Sequence, residues 1–220
     1  MPAAFVTLAV VALVHLVSQG VAPGGVVADL TQVLLMPLLA WALLVSTPNP
    51  KSQLVRLALI ALGFSWLGDT LPRLFDEGSD TAFWFLVGCF TLAQIAYIAA
   101  FLPFARRSIA ATRPVLLVPY ALAVLALFFL TMDEGSVVSP VMIYVIAIVM
   151  MAILATGLDR VAAAGAIVFI VSDALIALRA IGGVELPLHS VLVMLTYVVG
   201  QVLLVSAIAH RDRADHPRVV

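Results

Sequence analysis

The chain has 220 residues, of which 64% are hydrophobic and 10% charged, with a formal net charge of −1 and a mean hydropathy of +1.20. Soluble domains carry about a quarter charged residues, and a soluble fold of this length has no core large enough to hide so much apolar side chain. The composition excludes a soluble globular enzyme and fits a polytopic α-helical membrane protein, with the lipid bilayer as its solvent and no nucleic-acid partner expected.

A helix needs roughly 20 apolar residues to cross the hydrocarbon core. Eight such runs follow in chain order, near 3–20, 27–46, 53–74, 82–102, 114–131, 138–157, 160–181 and 188–208. The N-terminal stretch has no basic region and no small-residue cleavage site, so it reads as the first span rather than a signal. The breaks carry turn chemistry: APGG at 22–25, TPNPK at 47–51, FDEGSD at 75–80, RRSIAATRP at 106–114, TMDEGS at 131–136 and GGVELP at 182–187. Gly157, Asp159 and Arg160 alone mark the break between spans six and seven. Strands are a poor alternative, because the runs are continuous and open sheet edges cannot face lipid.

Eight spans put both termini on one side. That side collects Lys51, Arg56, Arg106, Arg107, Arg113, Arg160, Arg211, Arg213 and Arg218, against Arg73 and Arg179 on the other. The bias predicts cytoplasmic termini. The opposite face is acidic, with Asp29, Asp76, Glu77, Asp80, Asp133, Glu134 and Glu185. Residues 1–208 form one transmembrane bundle and 209–220 a polar cytoplasmic tail.

Spans three and seven each carry an acid. Asp69 lies in GFSWLGDTLPRL and Asp173 in GAIVFIVSDALIAL, each after a small residue and two before a Leu. Pro37 precedes Asp69 by 32 residues, and Pro140 precedes Asp173 by 33. Gln94 and Tyr97 on span four are echoed by Tyr197 and Gln201 on span eight. The halves, about 1–105 and 113–208, therefore read as a parallel 4+4 repeat.

An acid inside a membrane helix costs roughly 2.5–3.5 kcal/mol on insertion scales. Two carboxyl groups facing one cavity repel, so one can hold a proton while the other is ionised. General acid–base chemistry needs that pairing. The plain alternative is two separate acids bonded to helix neighbours. Gln94, Tyr97, Tyr197 and Gln201 could hydrogen-bond the acids or a ligand, or act as interhelical polar glue. Tyr144 reads more as glue or an interfacial aromatic. Arg73, one turn past Asp69, could pair with it or hold a phosphate, but an arginine snorkelling to the interface is the simpler reading. Arg179 falls off the face of Asp173. Trp66 suits an apolar wall. Cys89 is alone, and His15, His189, His210 and His216, taken to lie at span ends or beyond, show no ligand spacing, so no metal or other cofactor is expected. No G-x-S-x-G elbow, P-loop, H-E-x-x-H or dinucleotide fingerprint occurs.

These segments together resemble the YhhN-like family of lysoplasmalogenases. The carriers are TQVLLMPLLA, FSWLGDTLPRL, AQIAYIAAF, PVMIYVIAIVMM, GAIVFIVSDALIAL and TYVVGQVLLV, in order and spacing over about residues 28–208. The family often has Lys-Pro where Gln32 and Val33 stand, and His where Gln94 stands; both acids remain. The resemblance implies an enzyme that cleaves the vinyl ether bond of lysoplasmalogens, releasing a fatty aldehyde and glycerophosphoethanolamine or glycerophosphocholine. Its substrate would be a lysophospholipid and its home the cell (inner or plasma) membrane. Asp69 and Asp173 would be catalytic, with Tyr97, Gln94, Tyr144, Tyr197, Gln201 and Arg73 in support. Repeats, embedded acids and proline-kinked helices also occur in small-solute or proton-coupled transporters, which is the rival reading. A non-catalytic lipid-binding scaffold is a third.

Overall fold

A computed structural model describes residues 2–76, 79–131, 140–180 and 183–215. The turn acids Glu77, Asp133 and Glu134, residues 132–136 of the fifth break, the expected start of the sixth span at 138–139, and His216 and Arg218 of the tail lie outside the described residues. Within them the long helices are α1 (Pro2–Val21), α2 (Val26–Ser46), α3 (Gln53–Thr70), α4 (Asp80–Phe101), α5 (Val118–Thr131), α6 (Pro140–Leu158), α7 (Arg160–Ala180) and α8 (His189–Asp215), with no strand. All but α5 are long and apolar enough to cross a membrane, which makes seven candidate spans among the described residues. The described part of α5 has 14 residues, short of the roughly 20 a crossing needs. It follows a 3-10 turn at Pro114–Leu117.

The turn chemistry works as hydrogen-bond accounting. The Ser52 hydroxyl accepts the Val55 N–H at the start of α3, and the Ser79 hydroxyl accepts the Ala82 N–H at the start of α4. Lys51 Nζ donates to the carbonyls of Leu44 and Thr47 at the end of α2. One residue, Asp159, separates α6 from α7, and its Oδ1 accepts the Ala162 N–H at 2.7 Å. Helix α8 runs past the predicted end of its span to Asp215. Arg211 and Asp215 pair one turn apart, and the Arg211 guanidinium lies 5.2 Å from the Phe104 ring centroid.

Helix faces are not sorted by polarity, because both the lipid and the core are apolar, and the inner faces mix large residues such as Leu35, Phe101 and Phe169 with many small ones. Val6, Val10, Leu13, Ile60, Ile95, Ile146 and Val171 face outward, while Ala58, Ala61, Ala93, Ala96, Ala155, Ala162 and Ala166 are buried. The small inner residues let backbones approach. A Cβ on Gly165 would sit 2.9 Å from the Leu204 amide nitrogen, and one on Gly200 would sit 3.0 Å from the Gly165 carbonyl oxygen. Helices α7 and α8 therefore meet backbone to backbone. Helix α8 also touches α1, α2 and α3, so its side chains reach both halves of the molecule.

Pro37 lies inside α2. It has no N–H for the carbonyl of Val33, four residues earlier. Trp66 of α3 supplies the missing donor, with its indole Nε1–H donating across 3.0 Å to that oxygen. The residue expected to form an apolar wall thus ties α3 to α2. Trp66→Phe is expected to lower stability by about 1 kcal/mol. In a Pro37→Ala background the cost should fall, since an alanine at this position returns the backbone donor. Thermal unfolding of the single and double variants in detergent measures the difference. Pro140, the expected counterpart of Pro37, is the first described residue of α6, and the residues before it lie outside the described residues.

Candidate active site

Helices α2, α3 and α8 converge on Asp69. The residue sits one position before the end of α3 and is 7% exposed. Trp66 holds α3 against Val33, so Asp69, one turn further on, falls beside Gln32. Gln32 Nε2 donates to Asp69 Oδ1 at 3.1 Å. The Tyr197 hydroxyl donates to Oδ2 at 2.9 Å from a position 128 residues away in sequence. Both oxygens of a buried carboxyl group are thereby engaged, which offsets much of the cost of taking it out of water.

Arg73 does not pair with the Asp69 carboxylate. Its Nε donates to the Asp69 backbone carbonyl at 2.9 Å, and its guanidinium forms an ion pair with Asp29. The remaining terminal nitrogen donates to Gln32 Oε1. With the Gln32 oxygen held by Arg73, the amide nitrogen is left to face Asp69. Arg73 therefore orients a neighbour of the acid. Asp29, read from the sequence only as part of an acidic face, anchors this arrangement.

A second polar chain lies one turn deeper. The Tyr97 hydroxyl donates to Gln201 Oε1 at 2.7 Å, and Gln201 Nε2 donates to the Ser65 hydroxyl at 3.2 Å. Tyr97, Gln201 and Ser65 are all fully buried. They join α4, α8 and α3. Ser65 precedes Asp69 by one helical turn, and Gln201 follows Tyr197 by one turn, so this chain braces the Asp69–Tyr197 pair without touching the carboxylate. The Tyr197 ring is held edge-on by Phe90 and Phe169, with centroids at 5.8 and 5.5 Å. Gly68 leaves room for Phe90: a Cβ there would lie 2.8 Å from its ring.

Asp173 has its own tyrosine. The Tyr144 hydroxyl of α6 donates to Asp173 Oδ2 at 2.6 Å. Gln94 of α4 lies against the Tyr144 hydroxyl, yet its amide oxygen and nitrogen meet no partner of ordinary hydrogen-bond geometry among the described residues. Beside the acid, the Ser172 hydroxyl donates to the Val193 carbonyl at 3.0 Å and fixes α7 on α8. Tyr144, which the sequence favoured as glue, is thus the direct partner of an acid.

Each aspartate therefore has a tyrosine from another helix, and no hydrogen bond joins the two carboxyl groups among the described residues. Helix α4 faces both centres, with Tyr97 in the first chain and Gln94 one turn earlier beside Tyr144. Of the predicted supporting residues, Tyr197 and Tyr144 touch an acid, Arg73 touches the backbone of one, and Tyr97, Gln94 and Gln201 act at one remove. Sequence reasoning passed over Gln32 and Ser65 as partners. Gln32 shares the end of the helix pair that carries Asp69, and Ser65 stands one turn from that acid; those were the available signals. His15, expected at a span end, is fully buried within α1. Its Nδ1 lies 2.9 Å from the Thr31 hydroxyl and 3.1 Å from the Ala28 carbonyl.

Comparison with known proteins adds one result. The sequence model of the YhhN family matches residues 27–208, most of the chain. No curated protein and no solved structure matches.

Proposed function

The chain belongs to the YhhN family, and from that membership and its two membrane-embedded aspartates we propose that it is an integral membrane hydrolase of lysoplasmalogens. The bond cleaved is the vinyl ether, and the products are a fatty aldehyde and glycerophosphoethanolamine or glycerophosphocholine. The proposal includes eight spans arranged as two parallel four-helix units, with both termini in the cytoplasm and the fifth span over about residues 114–131.

The observation that carries the reading is that Asp69 and Asp173 each sit toward the same end of the bundle, each held by a tyrosine from a different helix. In the proposed mechanism one carboxylic acid protonates the β-carbon of the alkenyl group. The electron pair of the double bond forms the new C–H bond, and the α-carbon becomes an oxocarbenium ion. The second carboxylate lies against that cation and takes a proton from the water that adds to it. The hemiacetal then loses its glycerol oxygen as an alcohol and leaves an aldehyde. The division of labour follows analogous two-carboxylate chemistry at glycosidic bonds. Asp69, with a donor on each oxygen, suits the carboxylate role. Asp173, whose described hydrogen bond engages Oδ2 alone, has an oxygen left from which to deliver a proton.

The test is incubation of the purified protein with a lysoplasmalogen and, in parallel, an ester lysophospholipid. Aldehyde from the first and no fatty acid from the second is the expected result. Movement of a solute across proteoliposomes without chemical change would favour a transporter instead.

A further inference from the structure

A cavity of about 490 Å³ opens between α1, α7 and α8 at the end of the bundle that carries both aspartates. Its polar lining is Gln19, Arg179, His189 and Ser190. None of these enters the hydrogen bonds of Asp69 or Asp173. His189 is 4% exposed, and its Nδ1 accepts the Leu186 N–H at 3.4 Å. A ring whose Nδ1 accepts carries its proton on Nε2. That Nε2–H is buried and has no acceptor among the described residues. A buried donor left in this state is a standing cost, removed when an oxygen-rich ligand enters. Arg179 brings a charge. Its partner Glu185 stands 3.7 Å away at the rim, and both side chains are more than half exposed, so the guanidinium is free to exchange one anion for another. Ser190 adds the N-terminal turn of the 27-residue helix α8, whose unsatisfied N–H groups favour negative charge.

The apolar lining fixes the depth. Ile176 stands three residues beyond Asp173 on α7, and Met194 three residues before Tyr197 on α8; both line the cavity. The cavity floor is therefore about one helical turn, ~5 Å, above the level of Asp173 and Tyr197. A three-carbon glycerol bridge between an ether oxygen and a phosphate spans about the same distance.

We propose that this cavity is the subsite for the phosphate of a glycerophospholipid headgroup, held by Arg179, the His189 Nε2–H and the Gln19 amide. The assignment rests on the hydrolase reading for its choice of lipid, but not for its chemistry, which is recognition of a phosphate ester. Binding is therefore measured with an uncleavable alkyl-ether lysophosphatidylethanolamine, against the corresponding alkylglycerol without phosphate and against inorganic phosphate, on the purified full-length protein. The wild type should bind the phospholipid at least about tenfold more tightly than the alkylglycerol. Arg179→Ala and His189→Leu should each erase most of that preference. His189→Gln, whose amide reaches the position of Nε2–H, should keep it, and Glu185→Gln, which frees the guanidinium, should keep or strengthen it. Equal affinity for the two lipids, a preference that survives both Arg179→Ala and His189→Leu, or saturable binding of inorganic phosphate with no preference between the lipids overturns the proposal. Preference without aldehyde release would leave this site standing and overturn only the hydrolase reading.

Discussion

Asp69→Asn and Asp173→Asn are each expected to reduce aldehyde release by about 10²–10⁴-fold, the usual worth of a positioned acid or base, while the protein still folds. The stability side of this expectation is not obvious, since both residues are hydrogen-bonded. At Asp69 the amide of Asn can accept from only one of Gln32 and Tyr197, so one bond of about 1 kcal/mol is lost. Against that, a buried ionisable group leaves the bundle, which offsets part of the loss. The variants should therefore unfold close to the wild-type temperature. Residues that act as one catalytic unit are non-additive. The double variant should therefore be hardly slower than either single one. Initial rates at matched protein concentration, with thermal unfolding in the same detergent, test both halves. Near-normal activity in either single variant would sink the two-aspartate mechanism.

Gln201→Leu is expected to give the largest loss of stability at a residue that touches neither acid. It strips the acceptor from the Tyr97 hydroxyl and the donor from Ser65 in one step, and all three side chains are fully buried. Hydrogen bonds between membrane helices are worth about 0.6 kcal/mol on average and up to about 1.7. Two at fully buried positions should cost about 2–3 kcal/mol together. Tyr97→Phe alone leaves the Gln201 oxygen bare. Tyr97→Phe with Gln201→Leu leaves only Ser65 short of a partner, so the double variant should be less impaired than the sum of the singles. A cycle of denaturant unfolding curves gives the coupling energy. Strict additivity would show that the chain from Tyr97 to Ser65 carries no energy of its own.

The helices were legible because insertion into lipid demands long apolar runs. The expected spans at 27–46 and 53–74 became Val26–Ser46 and Gln53–Thr70 with a 3-10 turn to Leu74. The two acids were legible for the same reason, since charge stands out where lipid forbids it. Their partners were not. Tyr197 meets Asp69 across 128 residues, and Tyr144 meets Asp173 from another helix. Which helices are neighbours depends on close approaches such as Gly165 on Gly200, and such contacts leave no periodic trace. The partner of Arg73 was hidden for a related reason, since Asp29 comes to it from α2, 44 residues away in sequence. Helix α5 shows the limit of reading by hydropathy, because an apolar run announces residues fit for lipid without stating how many of them form one straight helix.

The bond from Trp66 to the Val33 carbonyl bears on how far the surroundings of Asp69 can shift. Because Pro37 leaves that oxygen with no donor in its own helix, α3 cannot slide along α2 without stranding it. The same slide would part Asp69 from Gln32 three residues further on. The two helices are latched in register, and the Asp69 half of the site moves as one rigid piece.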